Sequence, residues 1–188
     1  MEASHVSGTS GASKRMAFLA ALLLAGASAG AGDVWLGAGV GQVKPEGVNA
    51  TLSVSGELRL GLGRHFAIQP DIGYWKRTET VAGVSVSASD LSFGASALAI
   101  FPVHPVVFFV GGGPSIHHLG GDVGYYGFSV ASSSLTRFGF ATLGGLDIRI
   151  SRSFAFFLGA RYDWVGLETT NPDSINQSRL YGGFRLRL

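Results

Sequence analysis

Few residue types in this chain could support catalysis or ligand chemistry. Cysteine is absent, which removes disulfides, thiolate metal sites and a cysteine nucleophile together. Ser115, His117 and Asp122 lie close along the chain and supply a nucleophile, a base and an orienting carboxylate. Ser115 and His117 would share one face of a strand, but a triad is defined by geometry rather than by nearness in sequence. No fuller match to a hydrolase surrounds them, so the preferred reading is a polar strand end entering a loop, with no catalytic residue and no enzyme activity. His117 and His118 make a poor metal site because adjacent strand residues point to opposite faces. His65 and His104 fall in short turns, where solvation is expected. The run Gly111-Gly112-Gly113 has neither the Lys-Ser/Thr nor the helix of a phosphate loop. Close packing or bending of a strand explains it better, and Pro114, lacking an amide donor, is expected to interrupt pairing near a rim. No cofactor or metal is expected.

The elements that would position these residues are strands. From Asp33 onward, period-two segments alternate with Gly/Pro/Asn/Asp/Ser clusters, as in consecutive antiparallel hairpins. Eight such segments are read at 33–43, 51–62, 66–76, 90–101, 106–118, 135–150, 154–166 and 179–188. In the second, Leu52, Val54, Gly56, Leu58 and Leu60 oppose Thr51, Ser53, Ser55, Glu57 and Arg59. In the sixth, Phe138, Phe140, Leu146, Ile148 and Ile150 oppose Arg137, Asp147 and Arg149. The seventh sets Phe154, Phe156, Leu158, Tyr162 and Trp164 against Arg161 and Asp163. The last sets Leu180, Phe184, Leu186 and Leu188 against Arg179, Tyr181, Arg185 and Arg187, and Asp71 opposes Ile68, Ile72 and Tyr74 in the third. Side chains two apart share a face, so each strand has an oily side and a polar side.

Alternation alone does not say which side points inward. The charges share their face with Gly and Ser, the chain has only three lysines, and aromatics recur near strand ends. Those features suit a narrow polar lumen, an oily exterior and interfacial aromatic girdles. Charged residues make up 14% of the chain, against about 25% in soluble domains. No apolar run in the mature part is long enough for a helical span, which leaves a closed barrel for a membrane reading. Links near 63–65, 102–105 and 151–153 are short, and those at 44–50, 77–89, 119–134 and 167–178 are longer. That alternation places both termini in the periplasm. The segment 77–89 alternates strongly enough to extend a hairpin above the membrane.

At the start, Lys14 and Arg15 precede an apolar stretch from Met16 to Ala27 that ends in Ala27-Ser28-Ala29, the order of a cleavable secretory signal peptide. Residues 1–31 are read as that signal with an extended n-region, and 32–188 as the barrel domain. Without Lys14, Arg15 and Glu2 the chain holds 12 basic and 11 acidic residues, a net balance that gives no electrostatic case for nucleic acid or anionic lipid as a partner.

The chain resembles the small outer-membrane β-barrels of the OmpA transmembrane-domain and OmpX type. The resemblance is carried by Phe138-Gly139-Phe140, Gly144-Gly145-Leu146-Asp147, the run VFFVGGGP from Val107, FFLGARYDW from Phe156, and the terminal strand. It implies an all-β, eight-stranded antiparallel transmembrane barrel in the outer membrane of a Gram-negative bacterium. It also implies a salt-bridge and hydrogen-bond network plugging the lumen, built from Glu57, Arg59, Asp71, Arg137, Asp147, Arg149, Arg161, Asp163, Arg179, Arg185 and Arg187. Tyr181, Gly183, Leu186 and Leu188 fall at the spacing of the C-terminal signal read by the barrel-insertion machinery; the family commonly ends in Phe where this chain has Leu188. No soluble peptidoglycan-binding domain is expected to follow. The expected partners are outer-membrane lipid and lipopolysaccharide, and the protein is expected to be a monomer. Tyr125, Tyr126 and Phe128 are candidate loop contacts. The leading function is structural or surface interaction, with a narrow pore for small solutes or ions as the alternative and a lipid-modifying enzyme third.

Overall fold

The computed structural model describes residues 33–125, 128–166 and 175–188, with only the backbone of residues 128 and 129. The leader falls outside this range, as do Tyr126 and residues 167–174 of the last long link. Eight strands follow in chain order: β1 Val34–Pro45, β2 Thr51–Gly61, β3 Phe66–Val81, β4 Val84–Val103, β5 Val106–Tyr125, β6 Phe128–Arg149, β7 Phe154–Val165 and β8 Gln177–Arg187. Each pairs antiparallel with its neighbours, and β1 pairs with β8 to close the barrel.

The register fixes the barrel's dimensions. From Val34 the pairing passes through Leu60, Ile68, Ala97, Gly112, Thr142, Tyr162 and Ser178 and returns to β1 at Lys44, ten residues from its start. That stagger, over eight strands, tilts them by about 40° from the axis. At this tilt the 11 or 12 residues of β1, β2, β7 and β8 rise about 28–30 Å, enough to cross an apolar band of about 25 Å.

The middle strands are longer than a membrane requires. β3 has 16 residues, β4 and β5 have 20 each, and β6 has 22. Of the segments read as long links, 77–89 forms the hairpin extension that its alternation suggested, and 119–134 is mostly strand as well. β3 and β4 meet in a two-residue turn at Ala82-Gly83, both at positive φ (51° and 82°), the geometry whose twist matches flanking strands. Strand ends set by turn residues alone stopped short because Ser and Gly, common in these extensions, read as loop formers. Pro114 lies within the wall of β5 rather than near a rim. Pairing from β5 to β4 lapses between Gly94↔Ser115 and Ala97↔Gly112, while the β6 ladder continues past it at Phe140.

The faces are inverted relative to a water-soluble barrel. Val40 is 63% exposed and Leu158 52%, whereas Arg185 is 1% exposed and Asp163 0%. Alternating apolar and polar residues thus place hydrocarbon outside and charge inside. Placing arginine at mid-wall Leu158 is expected to cost about 2–4 kcal/mol, against about 0–1 kcal/mol at Leu52 near the strand end. Reversible denaturant unfolding in lipid vesicles measures both, and equal costs at the two depths would contradict a lipid-facing wall.

Candidate functional site

A strand sends alternate side chains into the lumen, and in a barrel this narrow those side chains meet across the axis. Toward the short turns, Arg185 from β8 forms ion pairs with both Glu57 of β2 and Asp147 of β6. Arg59 reaches the same Asp147 at 2.6 Å. Gln69 ties the group together, accepting from Arg59 Nε and Nη2 at 3.0 and 2.9 Å and donating to Glu57 at 2.9 Å. The guanidinium of Arg59 lies 4.3 Å from the ring centroid of Phe109, and that of Arg185 lies 4.3 Å from Phe157. Cation–π attraction thus adds to the ion pairs, and is strongest where water is excluded. Ala67, Leu98, Phe109 and Leu143 close this layer on one side.

One layer higher, Arg161 donates to Asp71 at 2.5 Å and to Asp163 at 2.9 Å. Arg179 lies against Gly73 within electrostatic reach of Asp163, Asp90 and Asp71. Above these, His117 places Nδ1 2.8 Å from Asp90 and Nε2 3.1 Å from Ser115, with Asp163 at 3.6 Å. Gln177 donates to the same Asp90 oxygen at 2.9 Å and accepts from Trp75 Nε1 at 3.0 Å. Val43, Trp75 and Val165 are buried at this level.

Small wall residues make the room. A Cβ at Gly37 would stand 2.7 Å from a Glu57 oxygen, and one at Gly94 would stand 2.9 Å from Asp71 and 3.0 Å from Arg161. Both are closer than carbon and these atoms tolerate, so the wall yields its side-chain volume to the charges that cross the axis.

Eight of the eleven residues assigned to the lumen from sequence meet in these layers: Glu57, Arg59, Asp71, Asp147, Arg161, Asp163, Arg179 and Arg185. The other three do not join them. Arg187 pairs with Asp33 at the short-turn rim, Arg149 is exposed with its guanidinium 5.9 Å from the Trp35 ring, and Arg137 is half-buried opposite His117 in the β5–β6 ladder. Face parity is right for all three; their height along the strand takes them out of the sealed region.

Asp90, Gln69, Gln177 and Trp75 were missed. Each shares parity with residues already placed inside, Asp90 with Ser92 and Ser96, Gln69 with Asp71, and Gln177 with Arg179. Gln69 and Trp75 carry no charge and Gln177 also precedes the expected last strand, whereas Asp90 is a charge at the very start of the expected fourth strand, where alternation has the fewest neighbours to reveal its face. The carboxylate beside His117 is not the acid nearest to it along the chain. Asp122 sits in the β5 extension opposite Ser87 and Ser132 and is exposed, while Asp90 fills that position from the neighbouring strand. Among the described residues no group of three His, Cys, Asp or Glu side chains could hold a metal ion.

At the other end, β3–β6 project beyond the shorter strands. Thr78 bonds Ser87 across the β3–β4 hairpin at 2.9 Å, and Arg77 pairs with Glu79 at 2.8 Å and with the Ala50 carbonyl at 2.7 Å. Asn49 donates to Glu79 at 3.1 Å. The Asn49 amide and then Arg77 hold the Glu79 carboxyl below its ordinary value. Val81, Val86, Tyr125 and Val130 are exposed on these extensions; the Phe128 side chain lies outside the described residues.

The sequence matches the family of the outer membrane protein beta-barrel domain over residues 16–187. No curated protein sequence matches it. Among solved structures, Neisserial surface protein A (NspA) is similar at 20% identity and TM-score 0.70, covering 85% of this chain and 99% of that one. Ail, the attachment invasion locus protein of Yersinia pestis, crystallised with the heparin analogue sucrose octasulfate, is similar at 12% identity and TM-score 0.58, covering 83% and 97%. The N-terminal barrel domain of Pseudomonas aeruginosa OprF gives 11% and 0.58, covering 84% and 99%.

Replacing Arg185 with Met leaves Glu57 and Asp147 buried without their shared cation, at an expected cost of about 3–5 kcal/mol. Adding Glu57→Gln is expected to recover part of that loss. Unfolding midpoints of the refolded barrels test both; a neutral single variant would mean that the lower layer contributes nothing to stability.

Proposed function

The chain belongs to the outer membrane protein beta-barrel domain family of Gram-negative bacteria, and from that premise we propose that it serves as a structural or surface-interaction protein. In this reading the lumen is a plug and the projecting β3–β6 hairpins contact other cells, ligands or envelope components. The observation that carries it is the contrast between the two ends of the wall. The interior is filled by paired charges at 0–10% side-chain exposure, while β4, β5 and β6 continue well past the length that crosses a bilayer. Specificity resides in the parts that rigid scaffolds project. Among similar structures, Ail carries attachment in its name and was crystallised with a heparin analogue, which supports the same class of role here.

The terminal strand supports recognition by the barrel-insertion machinery. Tyr181 and Gly183 face the lumen while Leu186 and Leu188 face outward. The bonds from Asn49 and Arg77 to Glu79 brace the β3–β4 hairpin against the 46–50 link. The folded Glu79 pKa is lowered, so this brace is present at neutral pH and is lost as pH falls through the folded value.

Planar-bilayer recording is expected to give no sustained current from the refolded protein. Discrete, stable conductance steps would favour the narrow-pore alternative. Trimming the β3–β4 and β5–β6 hairpins to membrane length is expected to preserve heat-modifiable folding and to remove binding of expressing cells to surfaces or to each other. Amide protection at the base of the β3–β4 hairpin, taken relative to the intrinsic exchange rate at each pH, is expected to fall on acidification, and less so in Asn49→Ala. The third reading, hydrolysis of an envelope lipid at Ser115, His117 and Asp90, requires lipid A to differ in mass between wild type and Ser115→Ala cells; unchanged mass would end it.

A further inference from the structure

The lipid-facing wall contains a groove with unlike ends. The pairing row Lys44, Ser178, Tyr162, Thr142 and Gly112 crosses β1, β8, β7, β6 and β5. The next outward row toward the short turns is Gln42, Leu180, Ala160, Gly144 and Val110. Between the rows, Ser178, Ala160, Thr142 and Gly144 line a depression bordered by Tyr162, Leu180 and Val110. Lys44, Tyr162 and Ser178 also line a second concavity that continues past Asn49 and Asn176.

The strands are tilted, so a row perpendicular to them descends as it crosses the wall. From Lys44, near the upper end of β1, to Val110 in β5 is four strand spacings, roughly 19 Å. Tyr162 packs edge-on against Trp164 at 4.8 Å, and such aromatic pairs mark the level of the membrane interface. The polar end of the groove therefore lies at the interface and its apolar end in hydrocarbon. Lys44 is exposed and has no ion-pair partner among the described residues. Glu46, the nearest acid along the chain, accepts from the Asn176 amide at 3.1 Å.

A free phosphate would use the lysine but leave the greasy channel below it empty. An uncharged apolar molecule would do the reverse. An anionic amphiphile uses both. We propose that this groove holds one acylated, phosphate-bearing lipid of the outer leaflet, with its phosphate at Lys44 and one chain lying across Gly144 and Ala160. The assignment rests on the barrel being a membrane protein with its short turns at the periplasm.

Two outward substitutions test it without touching the lumen. A Cβ at Gly144 would have its nearest neighbour at 3.5 Å, an ordinary contact, so Gly144→Leu fills the groove without pressing on backbone. Lys44→Gln removes the cation. Each protein, stripped of lipid by detergent exchange and checked for heat-modifiable migration, is offered bisphosphorylated lipid A, and retained lipid is counted by native mass spectrometry. Wild type is expected to keep one lipid, Lys44→Gln to keep it about fivefold less well, as for one lysine at an anionic surface, and Gly144→Leu to lose it. Inorganic phosphate is expected not to compete. A folded, detergent-dependent wild type that keeps no lipid, or variants that keep it as well as wild type does, would overturn the site while leaving the membrane reading intact. A mature protein soluble without detergent would overturn both.

Discussion

Hydrocarbon offers no hydrogen bond to a peptide group, and every backbone donor and acceptor within a bilayer must find its partner in the protein. With no helix among the described residues long and apolar enough to cross a membrane, that constraint requires the last strand to find the first. Here β8 meets β1 in a ladder from Trp35↔Arg187 to Pro45↔Gln177. Closure with eight strands and a ten-residue stagger then sets the interior width, which is about that of the side chains themselves. Much of the remaining design follows from that width. Wall residues opposite a long side chain must be small, which is why Gly37 faces Glu57 and Gly94 faces Asp71 and Arg161.

A narrow interior filled with charge must also be nearly neutral, because an unpaired ion out of water costs several kcal/mol. Among the described residues, four enclosed arginines, Arg59, Arg161, Arg179 and Arg185, face five carboxylates, Glu57, Asp71, Asp90, Asp147 and Asp163. His117, with a carboxylate near each ring nitrogen, is the group able to supply the remaining positive charge. Pairing across the axis couples strands far apart in the chain: Arg59 to Asp147 spans 88 residues and Arg185 to Glu57 spans 128. These contacts fix the relative heights of strands whose outer faces, meeting only lipid, distinguish one register from another less strictly.

The strand count, the closed barrel and the outward oily face were legible in the sequence because a two-residue period is strictly enforced where one side meets lipid and the other meets charge. Parity gave the face of a residue but not its height. Arg149 and Arg187 lie in phase with Asp147 and Arg185, yet two residues farther along they have reached the rim. Distance along the chain misled in the opposite way: Asp122 is near His117 in sequence, whereas Asp90 reaches it from the adjacent strand, where Ser92 pairs with His117 itself. Beyond the membrane the period carries less information, since all of Thr78–Val81 is exposed, and the Gly- and Ser-rich extensions of β5 and β6 therefore resembled a loop, whereas 77–89 kept enough alternation to show its hairpin. Neutral lumen residues such as Gln69 and Gln177 carried no signal apart from parity.

The Ser115–His117–Asp90 alignment has the order of a hydrolytic triad, and its surroundings decide what that order can do. A serine nucleophile needs an approaching carbonyl and donors placed for the oxyanion. Ser115 is 2% exposed and His117 0%, with Gly139 behind the hydroxyl at a separation too small for even a Cβ. The His117 ring is also shared: Nε2 faces Asp163, which Arg161 already holds, and the Asp90 oxygen at Nδ1 also accepts from Gln177. A base held between two carboxylates and tied through Gln177 to Trp75 loses more by moving than a catalytic histidine can accommodate. The same bonds do suit a structural clasp, since they join β3, β4, β5, β7 and β8 at the level where the upper lumen closes.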